Sequence, residues 1–228
     1  MVQLSLPPGL TVDTFGGTAW LGITPFSLRD VRPPHFPAIP WFSHFLGCTV
    51  RTYVFDEQGR PGVWYYSLDV NRWLVVKLAR IWFHLPYHYA TVKAVADASG
   101  AEVDFSVCRW GGQEESRFRY RASGPGREAA VGSLEFFLAE RYRFFSQDED
   151  GQLFSTRIAH VPHQLGSADV ALSDDRLLQA AGFDPDGQAP DHSCVLSTVD
   201  VEVFSPERVE AKTHAFAADS LGEEAMPA

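Results

Sequence analysis

Lysine is almost missing from this chain of 228 residues: Lys77, Lys93 and Lys212 are all there is. Chemistry that runs through a lysine imine therefore has few places to occur. Positive charge as a whole is short. Lysine and arginine total 19 against 29 aspartates and glutamates, a formal net charge of −10. Gripping a phosphate backbone needs cations that displace counterions, so nucleic acid and anionic membrane surfaces are excluded as general partners, leaving only a local basic patch. Cysteine is as scarce. Cys48, Cys108 and Cys194 lie far apart, are odd in number and form no CxxC pair. That leaves neither a disulfide framework nor a structural zinc site. No apolar run reaches membrane-spanning length. The opening MVQLSLPPGL has no basic region and no apolar stretch of signal-peptide length. The expectation is a soluble cytoplasmic protein. Motifs are missing too. There is no G-x-S-x-G, no G-x-x-x-x-G-K-[ST] and no G-x-G-x-x-G after a strand, so nucleophile-elbow, P-loop and Rossmann chemistry lose their usual signal.

What the chain has is aromatic residues: 17 Phe, 7 Tyr and 6 Trp, within 45% hydrophobic content. Disorder needs the opposite composition, and the length suffices to bury a full core. Strands are predicted at 11–15 and 18–28 around Gly16-Gly17, then at 48–56, 63–68, 87–96, 102–110, 116–121, 141–145, 153–160, 164–172 and 195–204. Four prolines mark 29–40 as loop. Asp69 or Asn71 is expected to cap a helix in which Leu74, Leu78 and Trp82 recur, and Pro86 ends it. Short helices are also expected near 134–141 and 174–181. Arg117, Arg119 and Arg121 alternate with Phe118 and Tyr120, the pattern of a solvated arginine face. In the last strand Val199, Val201 and Val203 should face inward. Tight turns join most strands, which makes antiparallel sheets, and a closed or nearly closed β-barrel removes their edges. One domain over 1–205 and a loose tail over 206–228 complete the expectation.

Among candidate ligands, His84 and His88 flank Pro86. On extended chain they stand ~13 Å apart, too far to share an ion. His160-Val161-Pro162-His163 and His192-Ser193-Cys194 lack a partner at matching spacing and read as loop histidines at strand ends. No metal and no cofactor are expected. What remains is a set of polar groups in aromatic surroundings: Arg51 and Tyr53 on one strand, Tyr65 and Tyr66 on the next, Arg80 and His84 near the helix end, then Tyr87 and Tyr89. Facing a barrel interior, they would make an apolar cavity with a few directed donors. Arg51 would clamp a carboxylate or phosphate with its planar fork.

Read together, LPPGLTVDTFGGTAWLGITPF, VRTYVFDEQGRPGVWYYSLDV, ARIWFHLPYHYA, LAERYRFF, IAHVPHQL and DHSCVLSTVDVEVF resemble the DUF2071, or YqjF-like, family over residues 6 to about 205. The resemblance implies an acetoacetate decarboxylase-like fold: mainly β (α+β), an antiparallel cone-shaped β-barrel with an internal cavity and a few short helices. Relatives often carry an extra helix before LPPGL, where this chain starts, so a shortened version or a late start codon is expected. Acetoacetate decarboxylases are similar around a Pro-Lys-Lys sequence whose lysine forms a Schiff base. Aligned on Pro86, Tyr87 and His88 stand where those lysines would be, and neither can form an imine. The acidic residue that relatives place before the Arg-Thr-Tyr strand is also absent, with Gly47 at its position. The resemblance therefore implies a small carboxylate- or carbonyl-bearing ligand without Schiff-base decarboxylation. Arg51, Tyr53, Tyr66, Arg80, His84, Tyr87 and Tyr89 are the ligand-binding candidates, and Tyr87 and His88 the acid/base candidates. Three alternatives stay open: a non-Schiff-base binder or catalyst, a carrier or sensor of an apolar ligand, and a structural or homo-oligomer-forming domain whose barrel is filled by its own side chains.

Overall fold

The computed structural model describes residues 1–28, 44–197 and 199–210. The proline loop expected at 29–40 and the tail from 211 onward lie outside them. A 3-10 turn over Val2–Ser5 opens the chain, followed by β1 (Leu10–Val12), β2 (Thr14–Phe15) and β3 (Thr18–Ala19). Gly16 and Gly17, at φ 60° and 81°, turn β2 into β3, a conformation that glycine adopts without a Cβ penalty. Next come β4 (Leu21–Leu28), β5 (Phe45–Asp56), β6 (Pro61–Val70), α1 (Trp73–Phe83), β7 (Tyr87–Ala96), β8 (Glu102–Arg109) and β9 (Ser116–Glu128). Then follow α2 (Leu134–Ala139), β10 (Arg143–Gln147), β11 (Leu153–Ala159), β12 (Gln164–Ser173), α3 (Arg176–Ala180), β13 (Cys194–Leu196), β14 (Glu202–Val203) and β15 (Glu207–Arg208). The molecule is mainly β with few, short helices. None of the described helices is long and apolar enough to cross a membrane.

The spine is the long antiparallel pair β5–β6. β1 and β4 share the other edge of β5. The other edge of β6 is also shared. Val63 and Trp64 pair parallel with Phe144 and Phe145 of β10, and Leu68–Val70 pair parallel with Tyr87–Tyr89 of β7. From β7 the sheet continues through β8, β9, β12 and β13, and from β10 through β11 to β14. The antiparallel expectation thus needs two parallel joins added. The β6–β7 join has a simple cause: α1 carries the chain from β6 to β7, and a crossover of that length makes parallel neighbours where a tight turn makes antiparallel ones. β4 near one margin and β12 and β13 near another line the same cavity, so the sheet curls round on itself. Among the described residues no strand pairing closes it into the expected barrel.

Two expected helix caps serve elsewhere. α1 begins after Arg72 without a side-chain cap. Asn71 Oδ1 accepts from the Leu46 N–H at 3.1 Å, tying the end of β6 to β5. Asp69, with a fully buried carboxylate, takes Arg109 Nε and Nη2 at 2.6 and 3.1 Å. A bidentate guanidinium is a strong, geometrically defined partner for a carboxylate. Removing one member leaves the other desolvated, so Asp69→Ala is expected to lower stability toward the small end of about 3–5 kcal/mol, because Arg109 keeps some access to water. Urea unfolding measures this, and a loss below ~1 kcal/mol would refute the pair's role. Pro86 ends α1 as expected, with His84 in the left-handed region at φ 51°. The predicted strand 195–204 is broken into β13 and β14. The first residues of the expected tail are packed: β15 pairs with β11, and Val209 is buried beside Leu10, Val54, Phe145 and Leu153. The arginine face is solvated and paired, with Arg119 and Arg121 each 2.9 Å from Asp104 and Glu102.

Candidate functional site

The curled sheet encloses an open cavity of about 1180 Å³. Thr49, Arg51 and Tyr53, alternate residues of β5, face it, as the period of two in a strand requires. On β6 Val63, Tyr65 and Leu68 line it, and a bulge decides which tyrosine does. The pairs Thr49↔Leu68 and Val50↔Ser67 would continue to Arg51↔Tyr66. Instead the register slips by one, and Arg51 lies opposite Tyr65. The extra residue, Tyr66, turns away: its hydroxyl bonds Ser5 Oγ at 2.6 Å and its ring packs edge-on against Phe183 at 4.9 Å. A bulge re-aims side chains in this way.

Arg51, Tyr65 and Tyr87 are surrounded by protein, and the surface each retains faces the cavity. Arg51 Nη2 donates to the Leu138 carbonyl at 3.1 Å, and the guanidinium lies 5.6 Å from the Tyr53 ring centroid. Its Nε–H has no acceptor among the described residues. No carboxylate lies within ion-pair distance of it among the described residues. Burial opposes its charge, while the Tyr53 and Tyr65 hydroxyls hold its pKa above the ordinary value. Burial pushes Tyr65 and Tyr87 well up, so both remain hydrogen-bond donors at neutral pH. Trp20 Nε1, Thr49 Oγ1 and His192 Nε2, also on residues lining the cavity, have no partner among the described residues. The second buried arginine, Arg141, is satisfied: it bonds Asp13 at 2.8 Å and the Phe137 carbonyl at 2.8 Å.

Of the residues singled out from sequence, Arg51, Tyr53 and Tyr87 come together on the cavity wall. The others lie elsewhere. Tyr66 sits on the outer face. Arg80 is exposed on α1. His84 stacks on Phe154 at 4.8 Å. Tyr89 is 38% exposed beside Trp110. His88 lies opposite Asp69 in the β6–β7 register and points away from the cavity that its neighbour Tyr87 lines, because successive strand residues face opposite ways. Neither Lys77 nor Lys93 lines the cavity; Lys77 stands over the Trp73 ring on α1. The filled-barrel alternative fares no better. Trp64 packs against an outer cluster and Trp82 is 63% exposed.

Sequence reading passed over His160, His163, His192 and Cys194, which all line the cavity. His160 stacks on Tyr142 and lies 4.6 Å from His163, and Glu140 accepts from the His163 N–H at 2.9 Å and from the Tyr142 hydroxyl. The signal was the H-V-P-H spacing itself, which means nothing until β11 and β12 are placed. No group of three or more His, Cys, Asp or Glu residues is arranged to hold a metal among the described residues. Burial first, then the neighbouring His160, pushes the His163 pKa below its ordinary value, and burial, then Arg109, does the same to His88. A histidine held below its unfolded value of about 6.5 binds fewer protons folded than unfolded. Stability therefore rises with pH through that window, is complete above it, and is lost as pH falls toward the folded value. The urea midpoint should drop between pH 7.5 and 5.5, and His88→Gln with His163→Gln should flatten that slope. An unaltered slope in the double variant would overturn the assignment.

Comparison with known proteins agrees with this geometry. Residues 1–201 match the DUF2071 family, described as an uncharacterized conserved protein. Uncharacterized protein YqjF of Bacillus subtilis (strain 168) is 34% identical over 185 residues, covering 80% of this chain and 74% of that one. Two solved structures are similar in fold. One is the acetoacetate decarboxylase of Legionella pneumophila, at TM-score 0.53 and 13% identity over 92% of this chain and 79% of that one. The other is an acetoacetate decarboxylase-like enzyme of Sphingomonas wittichii RW1, at TM-score 0.53 and 17% identity over 92% and 85%. At such identities the likeness is one of fold alone. With its family match running through nearly every described strand, the chain belongs to the DUF2071 family and has an acetoacetate decarboxylase-like fold.

Proposed function

We propose that the protein binds a small carboxylate- or carbonyl-bearing molecule in the cavity, and does so without forming a Schiff base. The observation that carries this reading is Arg51. A guanidinium stays charged at any physiological pH, and a desolvated charge is costly unless something opposite it is bound. Here the cation faces an open cavity with no carboxylate of the described chain beside it. An anionic ligand supplies the missing charge, and the Tyr65 and Tyr87 hydroxyls stand ready to donate to its oxygens. The second half of the proposal rests on the lysines. Lys77 and Lys93 are outside the cavity, and Tyr87, which follows Pro86 and faces inward, has no amine to offer.

The test is a thermal-shift screen of the purified protein against keto acids, simple carboxylates, aldehydes and neutral lipids, with Arg51→Met and Tyr87→Phe in parallel. At about a hundred times its dissociation constant a ligand adds roughly 2.7 kcal/mol, a rise of about 5–10 °C for a domain of this size. Carboxylate hits that vanish in Arg51→Met are expected. Borohydride treatment of the loaded protein should leave its mass unchanged. A reduced adduct on a lysine would remove the second half of the proposal, and hits indifferent to Arg51 would remove the first.

A further inference from the structure

Resting on the reading of Arg51 as an anion site, we propose that the ligand is an amphipathic monocarboxylate: one carboxylate at Arg51 and a long apolar body along the opposite wall. The first ground is space. A keto acid of seven heavy atoms, at roughly the ~30 Å³ that one water occupies per heavy atom, takes on the order of 200 Å³. The cavity offers about 1180 Å³, beyond the range of about 300–1,000 Å³ that suits drug-sized molecules. A short acid would leave most of it to water.

The second ground is how polarity is distributed. The donors Thr49, Arg51, Tyr65 and Tyr87 occupy β5, β6 and the start of β7. Facing the same space, β12 presents Ala168, Val170 and Leu172 at alternate positions, and β8 adds Val103. Val170 and Leu172 are 38% and 43% exposed. They are apolar side chains that line a cavity and stay partly exposed among the described residues, and apolar surface is driven to leave water. Their neighbour Asp169 does not line the cavity. The apolar surface is therefore one face of a strand, aligned in a row as an extended chain would need.

The third ground is charge. Arg141 is already paired with Asp13, which leaves Arg51 as the unpaired arginine among the described cavity residues. The loop 184–191 brings Asp184, Asp186 and Asp191 to the same cavity. A second carboxylate on a ligand held in this cavity would meet these like charges. One negative charge at one end is the form that suits both features.

Titration calorimetry can decide. The injected ligands are straight-chain monocarboxylates of four to ten carbons, the primary alcohols of matching length, and the matching α,ω-dicarboxylates. The proteins are wild type, Arg51→Met and Leu172→Asp. Affinity should climb about fourfold with each added CH₂ until the cavity is filled. Dicarboxylates and alcohols of equal length should bind at least tenfold more weakly than the monoacids. Leu172→Asp should erase the climb and leave the shortest acids unaffected. Acids that depend on Arg51 but show no gain with length would overturn this inference and leave the anion site standing. Equal binding of acids and alcohols, unchanged in Arg51→Met, would overturn the anion site itself. Absence of binding by all three series to the folded protein would overturn both.

Discussion

Arg51→Met should raise the unfolding temperature of the free protein by about 2–4 °C while abolishing its stabilisation by any carboxylate. The first effect follows from what Arg51 lacks. Its cation is enclosed, one nitrogen reaches the Leu138 carbonyl, the Tyr53 and Tyr65 hydroxyls lie beside it, and no carboxylate among the described residues neutralises it. Replacing a buried charge that has no ion-pair partner by an apolar side chain of similar reach is often neutral or favourable. A gain of about 1 kcal/mol corresponds to that shift in a domain of this length. The second effect follows from the position of the same group on the cavity wall. Opposite signs for stability and binding mark a residue retained for function at a cost to the fold. Scanning calorimetry with and without octanoate reads both quantities. If the free variant loses more than about 2 kcal/mol, Arg51 is a structural tie to α2, and the anion site loses its foundation.

Gly47→Ala should cost about 3 kcal/mol or more, lowering the melting temperature by about 6–12 °C. A Cβ at this position would lie 2.4 Å from Phe26 Cζ, 2.8 Å from the Asp69 carbonyl oxygen and 2.8 Å from Val70 Cγ1. Phe26 could swing aside, but the carbonyl belongs to the backbone of β6, and moving it breaks the pairing that holds Asp69 in place. β5 is central here, with β4 on one side and β6 on the other, so the strain has no free edge to escape to. This is the position where the family resemblance implies an acidic residue and the chain has glycine. Restoring one as Gly47→Glu would add a desolvated charge to the collision and should prevent folding. Gly22→Ala is the control. Its nearest contacts would be Tyr53 Oη at 3.5 Å and Arg51 Cγ at 3.7 Å, ordinary distances, and its cost should stay under about 1 kcal/mol. Equal melting temperatures for the two alanine variants would show that β5 yields more easily than its packing suggests.

How much of this could be read beforehand depends on distance along the chain. Local signals worked. Paired glycines made the β2–β3 turn, Pro86 ended α1, and alternation placed Thr49, Arg51 and Tyr53 on one face of β5. Tyr87 lines the cavity at the start of the strand that follows Pro86. What failed needed knowledge of a partner. Whether Tyr65 or Tyr66 meets Arg51 is settled by one slipped register between β5 and β6, and no alternation within β6 reveals it. Asp69 looked like a helix cap because its partner Arg109 is 40 residues away. Turn chemistry says little about closure because it reports neighbours in sequence, whereas the joins of β6 with β7 and β10 span a helix and, from Val63 to Phe144, 81 residues. His160 and His163 looked like idle loop residues until β11 and β12 placed them at the cavity.

The bulge at Tyr66 has a consequence for how such a chain can vary in length. Elsewhere in β6, losing one residue would turn half the strand inside out, since each side chain would change faces. At the bulge the surplus residue is already outside the ladder. Deleting it would leave Arg51 opposite Tyr65 and Val50 opposite Ser67, at the expense of the Ser5 and Phe183 contacts. Sequences one residue shorter at this point can therefore carry the same cavity, and an alignment that forces β5 and β6 into register without a gap would compare the wrong tyrosine.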